Sequence, residues 1–386
     1  MGNETGVQRE HFSGRTAMAI LNIILVISNS LICATGLFGN CLVIYVVTMF
    51  SKMKTVTNTY ILNLAIADVL FLISIPFLIT TSLYGSWMFG FFMCKLYFLL
   101  VSINSFTGVF TLTVMSADRY LAVCHPLKSM AMRTPKVALL IIICIWITSI
   151  LIMLPVLMYT TTVPSQRDPR LETCAMAWPE DQPLSPDKAF IWYNFLFSYA
   201  IPCSLISFFY IGVVMRLRAS GPVKKSLEKK KSQKRVTRMV LSIIMVYIIC
   251  WLPYWVFQLD LAVRVQKPPT LWRIVMFQAF NLMTYANSML NPLLYNFLSD
   301  NFRKSFAKAF KCVDRFEANR SLRAENSIYP KGKEGYSQTT TVDKHELTNY
   351  TNCVMNKQID DEGINIETQT ENILPTTSEL NEEADN

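Results

Sequence analysis

One carboxylate, Asp68, stands alone in the apolar stretch from Thr55 to Cys94, inside Asn63-Leu64-Ala65-Ile66-Ala67-Asp68. An ionisable side chain in such a run is expensive and asks for a purpose. Asn40, Asn104, Asn287, Ser288 and Asn291 are polar residues at similar depth in other apolar runs. A carboxylate ringed by neutral oxygens is the chemistry of a small hard cation site. The same residues serve equally as hydrogen-bonding glue between helices, and spacing alone leaves both readings open. Other chemistries are poorly served: His11, His125 and His345 lie far apart, no Cys-x-x-Cys pair occurs, and neither a zinc site nor a nucleophile-base arrangement is suggested.

The elements that must carry these residues are membrane helices. Of the 386 residues 52% are hydrophobic and 16% charged, a balance unlike that of a soluble globule. No charge occurs from Ala17 to Phe50, and only Asp68 between Lys54 and Lys95. Lys95 to Asp118, Lys136 to Arg167, Lys188 to Arg216, Arg238 to Asp260 and Arg273 to Asp300 each enclose a further apolar run. Each holds the roughly 20 residues a helix needs to cross ~30 Å. Seven spans result, an all-α membrane protein. The first run is too long for a signal-peptide core and leads into a basic loop, so it reads as a retained helix.

The net charge of +9 reflects basic residues clustered between spans, an orientation signal rather than a nucleic-acid surface. Arg216 to Arg238 holds ten basic residues and one acidic; Tyr159 to Ala189 holds three basic and five acidic. The first segment is therefore expected in the cytoplasm and the second outside. Residues 1–16 form an external tail, and Asn3 of Asn3-Glu4-Thr5 is a glycosylation acceptor. The bundle occupies 17–299. Over 300–312, Phe302, Phe306 and Phe310 recur every four residues opposite Arg303, Lys304 and Lys308, which predicts a short amphipathic helix on the inner leaflet. Cys312 at its end is either palmitoylated or a plain thiol facing the membrane. Residues 313–386 read as a disordered cytoplasmic tail. Its hydroxyl clusters, Ser337, Thr339, Thr340, Thr341 and Thr376, Thr377, Ser378, are either phosphorylation sites or ordinary disordered sequence.

Pro76, Pro155, Pro202, Pro253 and Pro292 fall in or near spans and invite kinks, which are static shape or hinges. Trp251, two residues before Pro253, is either a moving ring or a packing residue. Cys94 and Cys174 both lie on the external side, where a disulfide persists, and are expected to be bridged.

Several separated motifs coincide with these features: Gly39-Asn40, Leu64-Ala65-Ile66-Ala67-Asp68, Cys94, Asp118-Arg119-Tyr120, Trp146, Cys250-Trp251-Leu252-Pro253 and Asn291-Pro292-Leu293-Leu294-Tyr295. In this order, over about residues 17 to 312, they resemble rhodopsin-like (class A) G-protein-coupled receptors. Lys234-Arg235-Val236-Thr237-Arg238-Met239-Val240, Tyr285-Ala286-Asn287-Ser288 and Phe297-Leu298-Ser299-Asp300-Asn301-Phe302 look like the somatostatin receptors and their opioid relatives. Ser116 to Pro126 looks like the allatostatin C branch.

The resemblance implies a disulfide-cyclised neuropeptide as agonist and Gi/o as transducer, lowering cyclic AMP at the plasma membrane. It further implies receptor kinase, arrestin and membrane lipid as partners. No cofactor is required, and Na+ is the expected allosteric ion, at Asp68, Asn104, Asn287, Ser288 and Asn291. By analogy the ligand pocket is lined by Val101, Ser105, Asn194, Gln258, Asn281 and Tyr285 above Trp251. Asp118, Arg119 and Tyr120 with Thr237 would form the inner switch, coupled through Pro202, Val109, Tyr247, Pro253, Asn291, Pro292 and Tyr295.

Four departures qualify this. Val101 stands where relatives carry an aspartate that pairs with a ligand amine, so Asp260, Glu172, Glu180 or Asp181 would have to replace it. Gly108 stands for a serine of the sodium pocket. Val109 and Tyr247 replace the usual Ile and Phe, and Gln233 replaces an acidic lock residue. Another class A neuropeptide receptor is the nearest alternative. A transporter would use buried carboxylates too, though no inverted repeat is visible. A membrane enzyme lacks a catalytic constellation, and an opsin would need a lysine between Trp272 and Phe297.

Overall fold

A computed structural model of the chain describes residues 2–165, 168–179, 185–219, 227–264 and 270–310. Two compact units divide it, residues 1–306 and 307–386; of the second, residues 307–310 are described and are helical. Cys312 and the tail hydroxyl clusters lie outside the described residues, as do Glu180, Asp181 and the side chains of Asn3 and Gln233.

The first span is α1, Gly2–Met49, whose helix includes residues 2–16, the segment expected as a separate tail. The second is α2, Val56–Leu72, continued by α3, Ile75–Tyr84. Thr55 caps α2 by accepting from Asn58 N at 3.3 Å. Pro76 at the head of α3 causes the break, and Ser74 Oγ donates to Phe71 O at 2.6 Å across it. The third span is α4, Gly90–Cys124, followed by the short α5, Pro126–Met132. The fourth is α6, Pro135–Ile152, extended by α7, Leu154–Tyr159.

A hairpin follows where no strand was expected: β1, Thr160–Pro164, pairs antiparallel with β2, Glu172–Met176, with Thr162 opposite Cys174. The fifth span is α8, Pro186–Phe195, a π-helical turn at Leu196–Ala200, and α9, Ile201–Ala219. The sixth and seventh are α10, Leu227–Val263, and α11, Leu271–Leu298, each with an internal proline, Pro253 and Pro292. Residues 300–310 form α12.

Six of the spans are apolar enough to cross a bilayer by composition alone. The seventh, α11, is more polar because Thr284, Asn287, Ser288 and Asn291 are turned inward and buried. Outward faces are the reverse of a soluble protein's. Ile20, Ile23, Ile24, Ile27 and Leu31 of α1 are exposed, as suits hydrocarbon. Together these elements make a seven-helix bundle with α1 against α2 and α11, and α4 against α2 and α9.

Close packing at the polar centre depends on small residues. A Cβ on Gly39 would sit 3.0 Å from the Pro292 ring, so glycine lets α1 approach α11. There Asn40 Nδ2 donates to Ser288 O at 3.0 Å. Trp146 Nε1 donates to Asn63 Oδ1 and Asn63 Nδ2 to Thr111 Oγ1, each at 2.8 Å, which ties α6, α2 and α4. The α12 phenylalanines divide rather than share one surface. Phe302 and Phe306 are buried, with the Phe302 ring tilted against Tyr295 at 5.4 Å between centres, while Phe310 is exposed. The bundle's own Tyr295 takes part of the face expected to lie on lipid.

Candidate functional site

Asp68 is buried at the middle of α2, where its two carboxylate oxygens accept from Ser288 Oγ at 2.7 Å and Asn291 Nδ2 at 2.8 Å. Both donors come from α11, more than two hundred residues away in sequence. Asn104 and Asn287 line a small cavity beside Asp68, with Gly108, Leu112, Tyr247 and Trp251. The Oδ1 atoms of Asn104, Asn287 and Asn291 are buried and have no hydrogen-bond partner. A carboxylate with three unsatisfied amide oxygens close by is a hard-oxygen donor set, and it fits a small cation. All five residues named from the sequence are therefore brought together.

A second, larger cavity lies toward the Cys94 end. Its volume is about 230 Å³, somewhat below the ~300–1,000 Å³ typical of small-molecule sites. Val101, Ser105, Asn194, Gln258 and Trp251 line it, as anticipated. Asn281 and Tyr285 do not; Tyr285 is buried and stacks on Phe71 at 5.0 Å. The wall instead includes Phe106, Phe190, Tyr254, Trp255 and Ser198, which motif reasoning passed over because apolar and aromatic residues in a span carry no mark of their facing. Met176 reaches the cavity from β2, and the Cys94–Cys174 disulfide ties that strand to the start of α4. Trp87 N, between α3 and α4, donates to Glu172 O at 2.7 Å and secures the hairpin further.

Two of the four acidic candidates to replace an aspartate at Val101 are described. Asp260 already accepts from Arg264 at 2.5 Å and Arg273 at 3.1 Å, while Glu172 points from an exposed position of β2.

Trp251 belongs to both cavity walls. Its ring packs 5.8 Å from Tyr247, whose hydroxyl donates to Ser198 O at 2.7 Å in the π-helical turn before Pro202. Val109 is fully buried.

At the opposite end Asp118 and Arg119 are buried rather than solvated. Arg119 donates to Asp118, its Nε at 3.1 Å, and to Thr57 Oγ1 of α2. Thr237 does not hold it; that hydroxyl is buried without a partner. Arg133, just past α5, also engages Asp118, at 2.6 Å and 3.2 Å. In the sequence Arg133 is one more loop cation, and Thr57 one of many threonines; only helix packing distinguishes them. Tyr120 turns instead to Phe209, 5.7 Å away between ring centres, and His125 at 5.5 Å.

The family described as 7 transmembrane receptor (rhodopsin family) matches residues 39–295. Somatostatin receptor type 2 of Mus musculus is 42% identical over 299 residues, 78% of this chain and 79% of its own length. Somatostatin receptor type 5 of Rattus norvegicus is 44% identical over 287 residues, 74% and 77% of the two chains. Type 1 of the same organism is 38% identical over 283 residues, 72% and 69%.

Proposed function

The chain belongs to the rhodopsin family of seven-transmembrane receptors, close to the somatostatin receptors, and from that premise we propose that it is a receptor for a disulfide-cyclised neuropeptide of the allatostatin C and somatostatin type, signalling through Gi/o to lower cyclic AMP. Receptors rather than enzymes make up this family, and the chain is a multi-pass plasma-membrane protein. The excess of basic residues between α9 and α10 supports an orientation with the Cys94 end outside and the Arg119 end in the cytoplasm.

One observation carries the mechanism: Trp251 is a wall common to the large cavity and to the Asp68 cavity. A ligand that displaces or braces this ring alters the surroundings of Asp68 at the same time. Binding shifts the balance of two bundle packings only by its differential affinity for them, and contacts at Trp251 and the Pro253 kink are where that difference arises. Asp68, Asn104, Asn287, Ser288 and Asn291 would hold Na+, which when bound supplies the countercharge for the carboxylate. At the inner end Arg119 leaves Asp118 and Thr57 to meet the G protein.

Inhibition of stimulated cyclic AMP in cells expressing the chain, challenged with cyclic peptides of both families, tests this reading. A response abolished by pertussis toxin is expected. Silence with confirmed surface expression would sink the ligand class, and a response indifferent to the toxin would sink the transducer.

Two variants probe the sites. Val101→Asp puts an unpaired carboxylate into a wall without cations, so the native peptide should respond equally or more weakly; higher potency would mean that a ligand cation had lacked its partner. Gly108→Ser introduces an oxygen beside Asp68 on a Cβ that has room, since it meets Leu64 Cδ1 at 3.8 Å and Asn104 Oδ1 at 4.0 Å. The sodium-dependent loss of agonist affinity should steepen several-fold, because the hydroxyl adds one hard-oxygen ligand for the cation. Competition binding in NaCl against N-methylglucamine chloride reads it, and an unaltered sodium response would remove Gly108 from a cation site.

A further inference from the structure

The inner end of α10 is tied to α12 by charge. Arg235 donates to Asp300, the first residue of α12, and Asp300 also accepts from Arg303 Nη2 at 3.1 Å, one turn further on. That carboxylate stands on a fixed support. Phe302 and Phe306 are buried, the Phe302 ring lies 5.4 Å from Tyr295 of α11, and Tyr295 has no exposed surface. By contrast α10 is a 37-residue helix interrupted by Pro253, with Trp251 of the ligand cavity two residues before the proline. A proline removes the hydrogen bond that would stiffen the helix there, so the kink angle is the soft coordinate. Arg235 lies about 27 Å from Pro253 along the helix, at 1.5 Å per residue. A change of about 10° in the kink therefore carries that end through roughly 5 Å, more than the ~4 Å within which an ion pair holds.

Arg119 does not restrain α10 through Thr237. It is held by Asp118 and Thr57, whereas Thr237, two residues after Arg235, has a buried hydroxyl without a partner. Arg119 is only 5% exposed, so a protein that meets it does so after a helix end has moved aside. We infer that the Arg235–Asp300 pair is a clamp that holds the inner end of α10 against α12 in the resting receptor and opens when the Pro253 kink changes. Arg235 and Asp300 are then positioning residues for the inner switch. The clamp is weak by construction: its side chains are 45% and 39% exposed, and an exposed pair shifts an equilibrium by up to about fivefold. A contact of that size sets the resting fraction of open receptors, while a ligand opens them by contributing a larger differential affinity. Arg303, on α12 itself, keeps the carboxylate paired while the clamp is open. This inference deepens the proposed function and rests on α10 being the helix that the ligand moves.

The decisive experiment reads the opening without ligand or G protein. Thr237→Cys places a thiol at the buried position two residues from the clamp, and its rate of modification by a methanethiosulfonate reagent is measured in the purified full chain. The chain that keeps Thr237 is the blank for the native cysteines. Arg235→Glu and Asp300→Lys should each raise the rate about threefold, and the two together should restore it, because the exchanged charges pair again. Arg303→Gln spares the clamp and should leave the rate unchanged. No increase in the single reversals, an increase that the double reversal fails to restore, or an equal increase in Arg303→Gln overturns the inference. In a second arm, the same reversals without the added cysteine are compared in cells for agonist-free inhibition of stimulated cyclic AMP at matched surface expression. Each single reversal should signal about threefold above the parent, and the double reversal should return to it. Modification rates that follow the charge pairing, with cyclic AMP flat in every variant, uphold the clamp and remove the Gi/o reading, which separates the two failures.

Discussion

Replacing Cys94 and Cys174 together by serine is expected to cut surface expression several-fold and to lower the peptide potency of the surviving receptors by ~100-fold or more, a loss of about 2.7 kcal/mol. The bridge spans a sequence separation of 80 residues and joins the start of α4 to β2. Closing a loop of that size restricts the unfolded chain by about 4.5 kcal/mol on the loop-entropy view. Its second effect is local. Met176, two residues beyond Cys174 on the same strand, lines the large cavity, so a hairpin released from α4 takes part of the wall with it. The remaining anchors on Glu172 O, from Trp87 N at 2.7 Å and Ser86 Oγ at 3.3 Å, are hydrogen bonds worth about 1 kcal/mol each and do not replace the bridge. The double variant avoids an unpaired thiol. Potency normalised to surface receptor number is the measurement, and wild-type potency would show that the hairpin does not shape the binding site.

Asp68→Asn is the second large effect. The carboxylate accepts from Ser288 Oγ and Asn291 Nδ2 with one oxygen each. Asparagine keeps the shape but offers one acceptor oxygen, which Asn291 Nδ2 can still use, while its NH2 can donate to Ser288 Oγ only if that hydroxyl turns its proton elsewhere, so one charge-assisted bond of about 1.5–3 kcal/mol is exchanged for a weaker neutral one. The charge that would attract a cation is lost as well. Agonist affinity in the variant should be flat across a NaCl titration, where the wild type falls by about tenfold, equivalent to ~1.4 kcal/mol of coupling. Signalling should weaken together with it, because Trp251 and Tyr247 border the same cavity. A variant that retains the full sodium response would place the ion elsewhere and leave Asp68 as structural glue.

Some of the site was legible because its marks are chemical. Asp68, Asn104, Asn287, Ser288 and Asn291 stand out as polar residues in apolar runs, and a bilayer makes each such residue conspicuous. Cys94 and Cys174 stand out as cysteines at one end of the spans. Trp255 and Ser198 could not stand out in this way. A tryptophan in a span reads the same whether it faces lipid, a neighbour or a cavity, and Ser198 gains its position from a π-helical turn that its neighbours do not announce. Arg133 was hidden for the opposite reason, since a basic loop residue already has an explanation in membrane orientation. Thr57 took the place expected of Thr237 because the α2 terminus lies beside Arg119 in this packing, and no motif encodes that proximity.

Charge-free length is a property of the chain alone: a helix satisfies its own backbone within one segment, so seven runs, their order and the polar residues within them can be read without reference to any neighbour. Pairings are another matter. Whether Asp68 meets Ser288 and Asn291, whether Trp251 borders one cavity or two, and which hydroxyl reaches Arg119 depend on how each helix is rotated about its axis and kinked at its proline. Those angles are set by interlocking side chains between helices hundreds of residues apart, with Gly39 against Pro292 as one such contact. A rotation of one residue turns a side chain by about 100°, enough to move it from cavity to lipid, and only the assembled bundle selects the angle.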